Sequence, residues 1–275
     1  MAEINNQIIE KARKKFYEIY KTDNSDLYDE QDVQHVMQKD WWLIRYLNQN
    51  MNVNQSMINL TNNFKWRKEN KLRFVKDCEF PAELYKLGAM FKYNFDKNGR
   101  PVLIIRVKLV RRIHEVTMTL KEFLKYLVYT TDQEGDENGW CLILDFTGSG
   151  LENVDFDLAK YFVDLLVSYF PGGLANVLCV DSPFIFKAFW MFIKSWTPKN
   201  RSKVFRFVPK SKIKEYVDEA NLPDFLGGTC SKKYNGVDVI PKDCIIFKDY
   251  GVKYMNMIEE NAIKLHQNIK STFSL

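Results

Sequence analysis

The stretch from residue 169 to residue 207 constrains the fold more than any other part of the chain. Residues 176–180, NVLCV, form a short apolar strand. Asp181-Ser182-Pro183 then supplies an N-cap and a proline near the first helical position, so a helix begins here. Pro198 ends this helix, and a second strand closes the stretch at Phe207. A strand, a helix and another strand in succession indicate an α/β protein with a parallel sheet.

The helix in this stretch carries an unusual number of aromatic side chains. At ~100° per residue, one face collects Phe186, Phe189, Trp190, Phe192 and Trp196. Such a face suits a wall against an apolar ligand or a contact with the bilayer interface. An aromatic-rich core helix is the alternative that the composition leaves open.

A basic run follows the aromatic helix directly. Cations near anionic headgroups add to membrane affinity, although a charge run is also typical of a plain solvated surface. The run consists of Lys199, Arg201, Lys203, Arg206, Lys210, Lys212 and Lys214, and Arg106, Lys108, Arg111 and Arg112 are candidates to extend it.

The rest of the chain divides into three predicted parts. Apolar periodicity predicts helices over 3–21, 29–48 and 53–70, which form a small helical module over residues 1–75. Strands and helices alternate through the domain at 76–235, which predicts a mostly parallel sheet with surrounding helices. Its first two strands, 89–94 and 102–107, are joined by a hairpin turn at 96–99, and a helix is predicted at 211–219. Residues 236–275 form a C-terminal extension with an amphipathic helix at 254–269.

Composition narrows the classes of protein. A chain of 275 residues with 46% apolar residues can bury a sizeable core. A net charge of +5 suits an anionic membrane surface and is too weak to indicate nucleic-acid binding. The 5 cysteines have no metal-ligand spacing, so we expect no metal site and a reducing, cytoplasmic compartment. We find no signal peptide and no apolar run long enough to span a membrane.

No catalytic set emerges from the sequence. Thr147-Gly148-Ser149-Gly150 lacks the pattern of a phosphate loop or a nucleophile elbow and is expected to be a turn. The three histidines are scattered over different elements. Asp145 and Asp181 end successive strands, where they form either a carboxylate pair or loop-pinning caps. We therefore expect that the protein is not an enzyme.

Seven motifs in fixed order resemble the CRAL-TRIO family of lipid-binding domains. They are DWWLIRYL at 40–47, FKWRKE at 64–69, DKNGRPV at 96–102, LILDFTG at 142–148, YFPGGLANVLCVDSPFIFKAFW at 169–190, RSKVFRF at 201–207 and LPDFLGG at 222–228. Together they cover roughly residues 30–230. Within the family, KTDNSDLYDEQDV at 21–33 and NFKWRKE are similar to the N-terminal half of motile-sperm-domain-containing CRAL-TRIO proteins. Those longer relatives add a motile-sperm domain and a tail anchor.

The resemblance implies a pocket with a sheet as its floor and a movable gate helix over it. The gate matches residues 183–196, and the floor matches 142–145 and 177–180. Family members carry single hydrophobic molecules such as phosphoinositides, phosphatidylcholine, retinoids or tocopherols, so a bound lipid rather than a cofactor is expected. The implied lipid-binding residues are Leu142, Leu144, Leu178, Val180, Phe186, Phe189, Trp190, Ile193 and Lys203. The implied membrane-gate residues are Phe186, Trp190, Trp196, Lys199 and Arg201.

The headgroup residues of the family carry over only in part. Lys203 matches the lysine that phosphatidylinositol-transferring members place after the gate. Their acidic partner falls at Gly172, and their turn threonine falls at Asn200. Their choline-site serine and threonine fall at Trp140 and Leu142, whose side chains cannot replace hydroxyl contacts. The resemblance thus favours an inositol-type headgroup or a wholly apolar ligand over phosphatidylcholine.

Two functions follow as expectations. The first is a module that binds one hydrophobic lipid and exchanges or presents it at an anionic membrane surface. The second is a membrane-recruitment or organelle-tethering module that uses the aromatic helix and the basic run without lipid transfer. With either function, we expect the protein to be cytoplasmic and peripherally associated with membranes. If the chain is part of a longer anchored protein, we expect it at the surface of the endoplasmic reticulum.

Overall fold

The computed structural model describes residues 4–50, 52–184, 191, 193–196 and 204–274. These residues form two compact units. The first comprises Met1–Val75 together with Leu166–Gly173, and the second comprises Lys76–Leu165 together with Leu174–Leu275. The segment 166–173, which the sequence analysis assigned to the second domain, therefore belongs to the first unit. The C-terminal extension belongs to the second.

The first unit is a helical module. Its helices are α1 (Asn6–Thr22), α2 (Glu30–Gln38), α3 (Trp41–Asn50) and α4 (Val53–Glu69). Asn5, Asp29 and Asn52 cap the starts of α1, α2 and α4 with their side-chain oxygens. One apolar core joins the helices, and its members include Phe16, Trp42, Tyr46, Met57 and Phe64. Full burial of one such side chain stabilises the fold by about 1.5–3 kcal/mol.

The prediction of a single helix over 29–48 is wrong, because the chain turns at Lys39. Lys39 has an extended backbone, φ −122° and ψ 119°, and its N–H closes α2 on the His35 carbonyl at 2.8 Å. The carbonyl of Asp40 then accepts from the backbone N–H groups of Leu43 and Ile44, both at 2.9 Å, and α3 begins. The apolar pattern runs through this break because both helices face the same core.

The second unit is built on a five-stranded sheet. Its strands are β1 (Met90–Phe95), β2 (Pro101–Arg106), β3 (Trp140–Asp145), β4 (Leu174–Val180) and β5 (Phe205–Val208), and they lie in sequence order across the sheet. β1 pairs with β2 antiparallel through the predicted hairpin turn, where Gly99 has a φ of +73°. The pairs β2–β3, β3–β4 and β4–β5 are parallel. The predicted α/β class and mostly parallel sheet are confirmed.

Helices precede and connect these strands. They are α5 (Ala82–Leu87), α6 (Thr117–Gly135) between β2 and β3, and α7 (Phe156–Asp164), which continues as a π-helical turn at Leu165–Tyr169. α6 packs against β1, β2 and β3. α7 packs against α6. Because connections between parallel neighbours are right-handed as a rule, both helices belong to the same side of the sheet.

The helix predicted at 211–219 is instead a 3-10 helix at Lys210–Glu215. Its backbone bonds span three residues, from Lys212 to Pro209 at 2.8 Å and from Tyr216 to Ile213 at 3.0 Å. The tighter winding brings Ile213 and Val217 into the core beneath the sheet. Short 3-10 turns at Glu219–Asn221 and Asp224–Leu226 continue along the same surface.

The C-terminal extension holds two helices where the sequence predicted one. They are α8 (Phe247–Tyr254) and α9 (Glu259–Phe273). Asn256 interrupts the pattern with a φ of +53°, and α8 and α9 then pack closely. A Cβ atom placed on Gly251 would lie 3.1 Å from the Cβ atom of Ala262, so this glycine permits the close approach.

Candidate lipid-binding site

The strand register makes one face of the sheet uniformly apolar. Leu142 lies between Leu103 and Val177, and Leu144 lies between Ile105 and Cys179. Register partners in parallel strands point to the same side, and successive residues alternate. We call this side the floor face, and it consists of Leu103, Ile105, Leu142, Leu144, Val177, Cys179, Phe205 and Phe207.

The opposite face of the sheet belongs to a separate core. Ile143 pairs in register with Ile104 and Leu178. These residues pack with Val180 against Ile213, Leu222 and Leu226 of the 3-10 segments. The structure therefore does not bring the four predicted floor residues together. Leu142 and Leu144 lie on the floor face, whereas Leu178 and Val180 are fully buried on the other side.

Exposure of the floor face increases toward β5. Leu142, Val177 and Cys179 are buried, whereas Phe207 on β5 is 54% exposed. Phe184 and Met191, in the segment between β4 and β5, are 78% and 67% exposed. Apolar surface of this kind marks a site of ligand or membrane contact when it is contiguous.

The predicted lipid-binding residue Ile193 and the predicted membrane-gate residue Trp196 lie within the described part of the chain and are half-buried. The Lys160 ammonium group of α7 lies 5.9 Å from the Trp196 ring centre. This contact places the end of the predicted gate helix beside α7. The other residues that were predicted to contact lipid, headgroup or membrane in this stretch lie outside the described residues: Phe186, Phe189, Trp190, Lys199, Asn200, Arg201 and Lys203.

Three described members of the basic run lie at the surface, but Arg106, a candidate to extend it, does not. Arg206, Lys212 and Lys214 are exposed, and Lys214 pairs with Glu219 at 2.9 Å. Arg106 does not extend the run, because it is buried with its guanidinium 4.1 Å from the Phe225 ring centre. That cation–π contact fastens the LPDFLGG loop to the sheet.

A cavity of about 30 Å³ lies at the end of β2, with room for about two water molecules. Its walls are apolar apart from Glu83 and Arg111. The walls come from α5, β1, the loop after β2, α6, α8 and α9, with Met90, Val116, Leu120, Phe123, Phe247, Ile269 and Phe273 among the lining residues. Sequence reasoning missed this cavity because its walls come from segments more than a hundred residues apart.

Gly172, the position of the missing acidic partner, has a steric reason to be glycine. Its φ is +76°, and a Cβ atom there would lie 2.8 Å from the Cβ atom of Arg45. The Nε atom of buried Arg45 donates a hydrogen bond to the Pro171 carbonyl at 2.6 Å. An acidic side chain has no room at this position while Arg45 holds the loop.

The remaining candidates for chemistry have structural roles. Asp145 accepts from the Thr147 N–H at 3.0 Å, and Asp181 accepts from the Lys210 N–H at 2.8 Å, so both carboxylates pin loops. Ser149 donates to the Phe146 carbonyl within the predicted turn. His35 stacks on Trp42, and His266 lies 2.9 Å from Glu83. Among the described residues no group of three metal-ligating side chains occurs.

Fold and site together define a class of protein: a unit with a mostly parallel five-stranded sheet and an apolar floor face, in a chain that also has an N-terminal helical module. The model of the CRAL/TRIO domain matches residues 85–228, and the chain belongs to this family. The family consists of lipid-binding and lipid-transfer proteins rather than enzymes, in agreement with the expectation from the sequence. Among the described residues no helix is long and apolar enough to cross a membrane.

Curated relatives are similar over the same region. The chain is 29% identical over 199 residues to phosphatidylinositol/phosphatidylcholine transfer protein SFH4 of Arabidopsis thaliana, across 62% of this chain and 32% of the relative. It is 23% identical to phosphatidylinositol transfer protein CSR1 of Eremothecium gossypii, across 67% of this chain and 45% of the relative. It is 24% identical to Protein real-time of Drosophila melanogaster, across 80% of this chain and 36% of the relative. The chain thus spans less than half the length of these relatives.

The crystal structure of Sfh5 has the same fold. Its TM-score is 0.63 at 17% identity, and the match covers 96% of this chain and 100% of that chain. The likeness to motile-sperm-domain-containing relatives stays a prediction.

Proposed function

We propose that the chain binds one lipid or other hydrophobic molecule against the floor face and exchanges it at an anionic membrane surface. The strand register carries this proposal. Leu142 and Leu144 continue an apolar surface across four strands, and that surface becomes exposed at β5. A lipid held there is shielded from water, at ~25 cal/mol per Å² of apolar area covered.

The proposed ligand class rests on the relatives and on two residues of β3. CSR1 is named for phosphatidylinositol transfer, and SFH4 is named for both phosphatidylinositol and phosphatidylcholine transfer. Both names support an inositol-type headgroup, with Lys203 as its predicted contact. Trp140 and Leu142 are buried and offer no hydroxyl group to a choline headgroup. Phosphatidylinositol or a wholly apolar ligand is therefore favoured over phosphatidylcholine.

Exposed apolar residues support contact with a bilayer. Phe184 and Met191 belong to the predicted gate, residues 183–196, and are mostly exposed. Arg206 and Lys212 contribute positive charge after it. The same proposal includes opening of the gate at the membrane. Phe186, Trp190 and Trp196 then insert into the bilayer, and Lys199 and Arg201 lie beside the lipid headgroups. Location at the endoplasmic reticulum, within a longer anchored protein, stays a prediction.

A pair of substitutions tests the floor. Leu144→Trp adds bulk to a half-buried floor position, so we expect at least about a tenfold loss of lipid transfer between vesicles, which is about 1.4 kcal/mol. Phe91→Trp is the matched control, since Phe91 is half-buried against the opposite core. Equal transfer by wild type and Leu144→Trp, with both folded, would disprove the floor assignment.

Bound lipid distinguishes transfer from recruitment. Native mass spectrometry and solvent extraction of the purified protein should show one lipid per chain. Phe184→Asp should weaken binding to phosphatidylserine vesicles, whereas Val237→Asp, at a position 75% exposed, should not. A lipid-free mass with vesicle binding retained would favour the recruitment module instead.

A further inference from the structure

Two distant segments run side by side in the second unit. The Ala82 N–H donates to the Ile245 carbonyl at 2.7 Å. The Cys244 thiol donates to the Phe80 carbonyl at 3.3 Å and lies 3.9 Å from the Asp77 carbonyl oxygen. The start of the unit is therefore fastened to the C-terminal extension at this point.

This arrangement places a second thiol close to the first. Cys78 follows Asp77 directly, so its Cα atom lies within roughly 7 Å of the Cys244 sulfur by standard peptide dimensions. Cys78 is also among the groups whose charge acts on the Cys244 thiol. A disulfide joins Cα atoms about 4.4–6.8 Å apart, so the bridge forms when the two segments and the Cys78 side chain adjust into that range. Both thiols are free and both residues are partly exposed, whereas Cys141 and Cys179 are buried in the sheet.

We propose that Cys78 and Cys244 form a reversible disulfide that fastens the C-terminal extension to the start of the second unit under oxidising conditions. Hydrogen peroxide is the oxidant. The Cys78 sulfur attacks one peroxide oxygen, which gives a sulfenic acid and one water. The Cys244 sulfur then displaces the hydroxyl group, so that the S–S bond forms and a second water leaves. Two thiols are oxidised, and one peroxide is reduced to two waters.

The order of these steps follows from the surroundings of Cys244. Burial, followed by the charges of Cys78 and Asp77, raises the pKa of Cys244 to about 11. Cys244 is thus a protonated thiol at neutral pH and a poor first nucleophile, and Cys78 reacts first.

The bridge acts on the helices that line the cavity. Cys244 lies three residues before Phe247, where α8 begins, and Phe247, Ile269 and Phe273 form one wall of the cavity. A covalent link at Cys244 restricts the opening of α8 and α9. Oxidation is therefore expected to slow hydrogen exchange in both helices.

Peroxide treatment of the native full chain tests the proposal. We expect a mass loss of about 2 Da for the two thiol hydrogens and a Cys78–Cys244 peptide that disappears on reduction. Cys78→Ser and Cys244→Ser should each abolish the linked peptide and the slower exchange. Cys230→Ser is the matched control and should leave both unchanged.

Two outcomes overturn the proposal. One is a bridge that joins Cys230 to either thiol in the folded chain. The other is oxidation of Cys78 to sulfinic acid with Cys244 still reduced, which would show that the sulfurs do not meet. A disulfide that forms with no change in exchange of α8 and α9 would refute the fastening role.

Discussion

At the scale of single residues, Gly172 shows how one backbone position limits what a site can recognise. Gly172→Ala should destabilise the protein by ~1–3 kcal/mol, because a side chain there combines a positive φ with a clash. The clash is with the Arg45 Cβ atom, 2.8 Å from the added carbon. Urea denaturation, monitored by tryptophan fluorescence, measures the loss in the free energy of unfolding.

Gly99→Ala separates the two causes. Gly99 has a similar φ of +73° but no atom within 4 Å of the added carbon. We expect a loss of about 1 kcal/mol from the backbone alone. Equal losses for the two variants would mean that Arg45 moves aside freely, and an acidic residue at position 172 would then be sterically allowed.

His35 makes the stability of the helical module depend on pH. Burial lowers the pKa of His35 below its ordinary value of 6.5, with a smaller lowering by Arg73, Lys39 and Arg67 and an opposing effect of Asp32. The folded state therefore binds fewer protons than the unfolded state. The stability that neutral His35 contributes is present above about pH 6.5 and is lost as the pH falls through that value toward the lower folded pKa.

His35→Phe tests this dependence. The variant keeps an aromatic ring against Trp42, on which His35 stacks with ring planes 11° apart. We expect wild type to lose more stability than the variant between about pH 7.5 and 5.5. Parallel stability curves over this range would show that His35 does not titrate on unfolding.

At the scale of elements, α8 depends on a carboxylate from another helix. Glu83 of α5 is buried and accepts from the Phe247 N–H at the start of α8, with an N–O distance of 3.0 Å. Its other oxygen lies 2.9 Å from Nδ1 of His266 on α9. One side chain thus connects α5 to both C-terminal helices.

Glu83→Ala should therefore destabilise the C-terminal helices by ~1–3 kcal/mol, because a buried N–H loses its acceptor. Hydrogen exchange of residues 247–273 should rise. Glu83→Gln keeps an oxygen acceptor and should show a smaller rise. An unchanged exchange rate in Glu83→Ala would mean that apolar packing alone holds α8 and α9.

At the scale of the whole molecule, the first unit is discontinuous in sequence. Side chains of the helical module hold the segment 166–173 through its carbonyl groups: Gln49 to Val167 at 3.0 Å, Asn63 to Tyr169 at 2.7 Å and Arg45 to Pro171 at 2.6 Å. Trp66 stacks on Tyr169 with ring centres 3.7 Å apart. The linear boundary predicted at residue 75 cuts across this unit.

A chain that begins at residue 76 should consequently fold poorly. It keeps the segment 166–173 but lacks every one of these donors, and Phe170, buried in the full chain, becomes exposed. We expect lower solubility and a lower melting temperature. Asn63→Ala in the full chain should cause a smaller loss. A truncated chain as stable as the full one would show that the second unit needs no helical module.

The sequence by itself determined the α/β class, the β1–β2 hairpin and the family, because periodicity, turn residues and ordered motifs are local properties of the chain. Tertiary structure decided which apolar residues share a face. Leu142 and Leu178 are equally apolar in sequence, and only the register between β3 and β4 places them on opposite sides. Tertiary structure also decided the contact between Arg45 and Gly172, the lining of the cavity, and the approach of the segment at Cys78 to Cys244. Each joins residues far apart in sequence, and no local pattern encodes where the packed chain brings them together.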